Sequence, residues 1–258
     1  MASNLPHAGL SFSALCENGP VDDLSELGQA ALAYARLGLP VLPEHEIEAD
    51  GRCSCGCSYP RCWRRAKHPR IRHWERRAST DETTIRRWWT KWPNANVGLG
   101  VGQAGLVVLD LDLRPGANDQ PTAIAGRFGA RALETVTSAT GGGGYHLLYR
   151  LPKGTVIETR KDILGPGLDV QARDGLCTLP PSLHPNGRRY AWVDGKAPGE
   201  VEIAELPHAI ARLLTRRPSV AWYLKMAPYW AADRVGLSHP ARERLRTIER
   251  RLGSIGGR

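Results

Sequence analysis

Residues 106–113 read LVVLDLDL, an aliphatic run that two aspartates interrupt. Aliphatic residues at both odd and even positions predict a β-strand that is covered on both faces. Because strand side chains alternate with period two, Asp110 and Asp112 should lie side by side on one face. Adjacent carboxylates repel each other unless a proton or a cation lies between them, and oxygen ligands favour Mg²⁺ or Mn²⁺. The alternative is a solvent-facing strand that happens to carry two aspartates.

A glycine run precedes the only histidine of the next strand candidate, SATGGGGYHLLYR at residues 138–150. Backbone N–H groups in such a turn, at Gly143 and Gly144, allow a phosphate to approach closely. His146 could then hold a phosphate oxygen from one ring nitrogen. The alternative is a simple hairpin turn followed by a structural histidine.

A third carboxylate interrupts the apolar run of LDVQARDG, residues 168–175. Asp169 could complete a two-metal site with the aspartates of LVVLDLDL, and Arg173 follows four residues later. The alternative is an Asp–Arg pair on the surface of a strand.

Four of the six cysteines fall within GRCSCGCSYPRCWRRAKHPR, residues 51–70, which also contains His68. Such a cluster favours metal binding over disulfides, and structural zinc takes either four thiolates or three thiolates and one histidine. An insertion rich in glycine and arginine buries too little apolar area to order itself, so a zinc clip would stabilise it. The alternative is a basic loop with reduced thiols.

The net charge of +9 and the pI of about 9.5 suggest a polyanionic partner, of which nucleic acid is the simplest. The Arg-rich insertion, with Trp63 and Trp74 interleaved, is the best candidate for a template-binding surface. No apolar run approaches the roughly 18 residues of a membrane helix, and the N-terminus lacks a secretory pattern. We therefore expect no membrane association and a cytoplasmic location.

The order of elements predicts an α+β fold, with a mixed or antiparallel central sheet flanked by helices. Helices are expected after residue 22, with Asp23 and Glu26 as a capping box, and after residue 79, with Ser79 and Glu82 in that role. The segments 96–102 and 106–113 are expected to pair as strands across a glycine-containing turn.

The order of these motifs resembles the archaeo-eukaryotic primase superfamily, and most closely the bifunctional DNA primase/polymerase (Prim-Pol) domain of plasmid and phage replication proteins. The resembling segments run from about residue 26 to residue 193 and are ALAYARLGLPVLP, the CSCG…KHP insertion, IRRWWTKWPNANVGLGVG, LVVLDLDL, TSATGGGGYHLLYR and LDVQARDGLCTLPPSLHPNGRRYAWV. The resemblance implies a primase-polymerase fold with a zinc-clip insertion.

The resemblance also assigns roles to individual residues. It implies that Asp110, Asp112 and Asp169 are catalytic ligands of Mg²⁺ or Mn²⁺ and that His146 contacts the phosphates of the incoming nucleotide. Gly144 stands where the family often has a small polar residue, so backbone N–H groups could bind phosphate instead. The weaker assignments to the nucleotide pocket are Arg173, Ser182 and His184. The implied zinc ligands are Cys53, Cys55, Cys62 and His68, with Cys57 as an alternative, and Ala66 replaces the family's usual glycine.

The implied function is template-directed, metal-dependent nucleotidyl transfer for primer synthesis and extension in plasmid, phage or mobile-element replication. The expected partners are single-stranded or primed DNA, dNTPs or NTPs, and a separate replicative helicase, because the chain has no Walker A motif. The expected organisation is an irregular segment at 1–21, a catalytic domain at 22–215 with the insertion at 44–78, and a basic helical tail at 216–258. A non-catalytic nucleic-acid-binding module and a metal-dependent nuclease are the alternatives.

Overall fold

The computed structural model describes residues 23–57, 62, 64–112, 120–164 and 167–215. The predicted segment 1–21 and tail 216–258 lie outside these residues. In chain order the elements are α1 (Glu26–Arg36), β1 (Val41–Glu44), α2 (Trp74–Arg77), α3 (Glu82–Lys91), β2 (Asn96–Gly100), β3 (Leu106–Leu111), α4 (Gln120–Phe128), a 3₁₀ turn (Ala130–Leu133), β4 (Thr137–Ala139), β5 (Tyr145–Arg150), β6 (Leu168–Gln171), β7 (Leu176–Leu179), β8 (Ala191–Trp192) and α5 (His208–Thr215).

The strands form two antiparallel sheets, which confirms the predicted α+β class. The first sheet has three strands in the order β1-β2-β7, and the second has five in the order β6-β3-β5-β4-β8. No helix among the described residues is long and apolar enough to cross a membrane.

The five-stranded sheet is buried on both faces, as the aliphatic run of β3 predicted. Val108 and Leu148 pack into a core with the three-stranded sheet, α1 and α3. Leu109 and Leu147 point the other way, into a second core that includes Ile210 of α5. Asp110 has the parity of Val108, so alternation along β3 places it on the face that meets the three-stranded sheet.

The predicted pairing of segments 96–102 and 106–113 is wrong, because β2 and β3 belong to different sheets. A tight turn carries the chain from one sheet to the other. Two hydrogen bonds close this turn, from Ala104 N–H to Gly100 O and from Leu106 N–H to Val101 O. Gly102 is required there, since a Cβ would lie 1.8 Å from the carbonyl oxygen of Arg173.

Two predicted helix caps are displaced by two residues. Ser25, rather than Asp23, caps α1 by accepting a hydrogen bond from Gly28 N–H. Asp81, rather than Ser79, caps α3 by accepting from Thr84 N–H at 2.7 Å. In each case the capping side chain lies three residues before the N–H that it accepts from, and this geometry satisfies an otherwise unpaired donor of the first turn.

Candidate active site and metal cluster

A row of polar side chains crosses the five-stranded sheet on the face toward the three-stranded sheet. Asp110 of β3 lies directly opposite Asp169 of β6 on one side and His146 of β5 on the other. Ser138 of β4 continues the row beyond His146. Directly opposed residues of neighbouring strands share a face and have Cβ atoms about 5 Å apart, so these groups form one cluster.

Asp112 extends the cluster beyond the end of β3. Its N–H donates to Gly167 O at 2.9 Å, which continues the β3–β6 register one residue beyond the pair Leu111–Leu168. The carboxylates of Asp110 and Asp112 both interact electrostatically with the ammonium group of Lys67. The structure therefore brings together the three carboxylates that the sequence singled out.

Asp169 is the most buried of the three carboxylates. Burial, followed by the charge of neighbouring Asp110, raises the pKa of Asp169 to about 7, although Asp162 N–H donates to its Oδ1 at 2.8 Å. Burial and the neighbouring carboxylate Asp110 therefore both disfavour the charged form of Asp169. This donor set fits a hard divalent cation such as Mg²⁺ or Mn²⁺, which binds through carboxylate oxygens.

His146 joins the carboxylate row to the three-stranded sheet. Its Nε2 lies 3.5 Å from Asp110 Oδ1, and its Nδ1 lies 3.2 Å from the sulfur of Cys177 on β7. Burial alone would lower the pKa of His146, but Cys177 and Asp110 outweigh burial and raise the pKa well above 6.5. The imidazole is therefore suited to carry a positive charge beside Asp110, where it can face an anionic ligand.

The glycine turn before β5 is held by Thr140. Gly143 N–H donates to Thr140 O at 2.9 Å, and Gly144 N–H donates to Thr140 Oγ1 at 3.0 Å. A Cβ on Gly144 would lie 1.9 Å from Leu111 O, so the turn packs directly on the end of the strand that bears the aspartates. These two N–H groups close the turn, and the glycines determine how closely it approaches the acidic row.

The three weaker assignments to the nucleotide pocket fall in different places. His184 lies beside the glycine turn, because a Cβ on Gly142 would be 3.6 Å from its Nε2. Ser182 is fully buried, and its hydroxyl accepts from Val97 N–H at 2.8 Å, so it supports β2. Arg173 is exposed, pairs with Glu158 at 3.3 Å and lies beyond the far end of β6, away from the row.

Two residues beside the cluster, one of them on the three-stranded sheet, are ones that the sequence did not single out. Glu44 of β1 is fully buried, accepts from Thr178 Oγ1 at 2.8 Å and interacts with the charges of Lys67 and His146. Tyr190 stacks near His146, with ring centroids 5.8 Å apart. Glu44 could have been found from the sequence, because it is a charged residue directly after the apolar strand segment LPVLP. The sequence around Tyr190 contains no comparable signal.

The predicted zinc ligands come together in the insertion. The ligand atoms of Cys53, Cys55, Cys62 and His68 all lie within 4.8 Å of one another. His68 Nε2 is 3.5 Å from the sulfurs of Cys53 and Cys62, and the sulfurs of Cys55 and Cys62 are 3.4 Å apart. Ligands around a tetrahedral zinc ion are separated by roughly 3.5 Å, so this cluster could hold a metal such as zinc. Cys57 is exposed and lies outside this group.

Ala66 stands where the resemblance implies a glycine, and it adopts a left-handed backbone with φ of +54°. Glycine adopts this conformation without strain, which gives a physical reason to expect glycine at this position. Ala66 N–H donates to the sulfur of Cys53 at 3.5 Å, so the turn belongs to the metal cluster. Arg70, one of the basic residues of the insertion, is paired with Glu46 at 2.6 Å.

The comparison with protein families agrees with this geometry. No curated protein matches the chain significantly. The family model described as bifunctional DNA primase/polymerase, N-terminal, matches residues 31–209, a span that includes the carboxylate row, His146, the glycine turn and the metal cluster. The chain therefore belongs to the bifunctional DNA primase/polymerase N-terminal domain family.

Proposed function

We propose that the chain is a DNA primase/polymerase that transfers nucleotides to a primer in a reaction that depends on divalent metal ions. The observation that carries the proposal is the register that sets Asp110 between Asp169 and His146, with Asp112 two residues further along the same face. A cluster of carboxylates next to a cationic imidazole is suited to a metal-bound triphosphate.

Asp110, Asp112 and Asp169 would hold the catalytic Mg²⁺ or Mn²⁺. Bound there, the metal would supply a Lewis acid at the reacting phosphate. Cys53, Cys55, Cys62 and His68 would hold a structural zinc ion, because thiolate and imidazole ligands favour zinc over the hard cations of the carboxylate site.

His146 would bind a phosphate oxygen. Its Nε2 lies 3.5 Å from Asp110 Oδ1, so a phosphate held at the carboxylate row would lie beside this nitrogen. Its Nδ1 is held by Cys177, so the ring is already oriented before a ligand binds. Gly143 and Gly144 would shape the pocket, and His184 would line it from the neighbouring loop.

The substrates would be dNTPs or NTPs and a single-stranded or primed DNA template. The net charge of +9 favours a polyanionic template, and electrostatic binding of this kind weakens as salt is added. Residues 22–215 would form the catalytic domain with the insertion at 44–78. Replication of a plasmid, phage or mobile element with a separate helicase is the setting we propose.

Incorporation of labelled nucleotides on a primed single-stranded template tests the proposal. We expect extension only with Mg²⁺ or Mn²⁺, and running separate dNTP and NTP pools identifies the preferred substrate. Shortening of the labelled primer instead of extension would favour a nuclease. Template binding without incorporation under any metal would favour a non-catalytic binding module.

A further inference from the structure

We propose that Lys67 binds the phosphates of the incoming nucleotide and that the Cys53/Cys55/Cys62/His68 cluster holds it in place. This inference rests on the proposed nucleotidyl transfer. It gives the insertion a role inside the active site, in addition to any contact with the template.

Lys67 points from the insertion into the cleft between the two sheets. Its ammonium group interacts electrostatically with Asp110, Asp112 and Glu44, which belong to both walls of the cleft. Its Nζ lies 6.0 Å from the centroid of the Tyr190 ring. Its charge also acts on His184, which lies beside the glycine turn. Lys67 therefore lies in the part of the cleft that the carboxylate row, Tyr190 and His184 surround, near the place where we expect the triphosphate.

The main chain around Lys67 is fixed from both sides. Before it, Ala66 N–H donates to Cys53 Sγ at 3.5 Å, and Ala66 O accepts from Asn96 Nδ2 at 3.1 Å. After it, His68 O accepts from His45 N–H at 2.9 Å, and the His68 ring belongs to the metal cluster. A metal bound to the cluster would add to these contacts on both sides of Lys67, and metal loss would remove the restraint on the Cys53 sulfur and on the His68 ring.

The chemistry of the cleft favours a phosphate ligand. Lysine presents a compact charge with three donors on a flexible stem, which suits a phosphate group. Before a nucleotide binds, the ammonium group offsets the charge of the carboxylate row. Divalent ions on the carboxylates would take over that role and free the ammonium group to meet the additional negative charge of the triphosphate.

The first experiment measures binding of a fluorescent nucleoside triphosphate, with Ca²⁺ replacing Mg²⁺ and no template present. Losing one charge-assisted contact should weaken binding roughly 10- to 100-fold in Lys67→Ala, while Lys67→Arg should retain part of the affinity. Lys153→Ala, which removes an exposed lysine, should bind like the wild type. The loss should be larger for the triphosphate than for the monophosphate, whereas an equal loss for both would indicate a merely structural role and overturn the assignment.

The second experiment links the cluster to Lys67. Cys55→Ser should lose zinc and weaken triphosphate binding, but in a Lys67→Ala background it should weaken binding little further, because both changes remove the same contact. If Cys55→Ser does not fold, chelation of zinc from the wild type, followed by zinc addition with excess Ca²⁺, should abolish and then restore the tighter binding. If the double variant instead loses affinity by the product of the two single-variant losses, the link between the cluster and Lys67 is contradicted.

The two proposals fail in different ways. If the wild type extends primers and binds triphosphate while Lys67→Ala binds it equally well, the inference is wrong and the proposed function stands. If the wild type neither binds triphosphate nor extends a primer, the proposed function fails, and the inference fails with it.

Discussion

At the scale of single residues, Glu44 is the least expected feature of the cleft. Its Oε1 has no hydrogen-bond partner among the residues that the structure describes, although the carboxyl group is fully buried. Gly98 makes room for it, since a Cβ there would lie 2.9 Å from Glu44 Cγ. Burial raises the pKa of Glu44 from 4.5 to about 7, against the opposing effects of Thr178, Lys67, His146 and Arg64. A buried group of this kind should make folding depend on pH.

We predict that Glu44→Gln changes this dependence. Below pH 4.5 the carboxyl group is protonated in both the folded and the unfolded state, so it has no linkage effect there. Between pH 4.5 and about 7 the unfolded state has released the proton while the folded state still holds it, so the wild type loses stability across this window and loses little more above it. The stability of Glu44→Gln relative to the wild type should therefore rise by roughly 2–3 kcal/mol between pH 5 and pH 8.

Denaturant unfolding across this pH range measures the effect. Glu205→Gln, which changes an exposed glutamate, is the matched control and should parallel the wild type. A Glu44→Gln curve that also runs parallel to the wild type would show that the buried carboxyl group titrates normally.

Gly144 permits a second prediction at this scale. A methyl group there would meet Leu111 O at 1.9 Å, so the glycine turn and the end of β3 must separate. Gly144→Ala should lose roughly 1–3 kcal/mol of stability and at least tenfold in primer extension, because Asp112 follows Leu111 directly. Gly126→Ala in α4 is the control: its Cβ meets nothing within 4 Å, and it should gain up to about 1 kcal/mol. Normal extension by Gly144→Ala would rule out a role for this close approach.

At the scale of elements, the insertion depends on its metal cluster. We predict one zinc ion per chain in the purified protein. Cys62→Ser should lose that zinc and unfold at a lower denaturant concentration, since a metal bound only by the folded state stabilises it. Cys57→Ser should retain zinc, because Cys57 lies outside the cluster. Elemental analysis of both variants decides the ligand set, and zinc loss from Cys57→Ser would contradict it.

Strand pairing shows where local sequence information ends. The aliphatic residues at both odd and even positions of LVVLDLDL correctly predict a strand buried on both faces, because side-chain parity is a local property. The pairing of β2 with β3 was predicted wrongly, because the choice between a hairpin and a change of sheet depends on the remaining strands. The close approach of Gly102 to Arg173 O, which fixes that turn, joins residues 71 positions apart and has no local signature.

At the scale of the whole molecule, the sequence indicates only some of the residues that line the cleft between the two sheets. Asp110, Asp112, Asp169 and His146 could be singled out, because each is a polar residue in or next to an apolar strand. Glu44 comes from β1 of the three-stranded sheet, Lys67 from the insertion and Tyr190 from the residue before β8. Only the folded arrangement of these separate segments brings the three residues near the carboxylates, so no spacing rule finds them.

Metal-dependent primer extension by Asp110→Ala tests the central claim most directly. Asp110 lies between Asp169 and His146, so its loss should abolish incorporation while template binding and folding persist. Asp174→Ala, which changes an exposed aspartate in the turn after β6, should extend primers like the wild type. Normal extension by Asp110→Ala would contradict the assignment of the carboxylate row as the catalytic site.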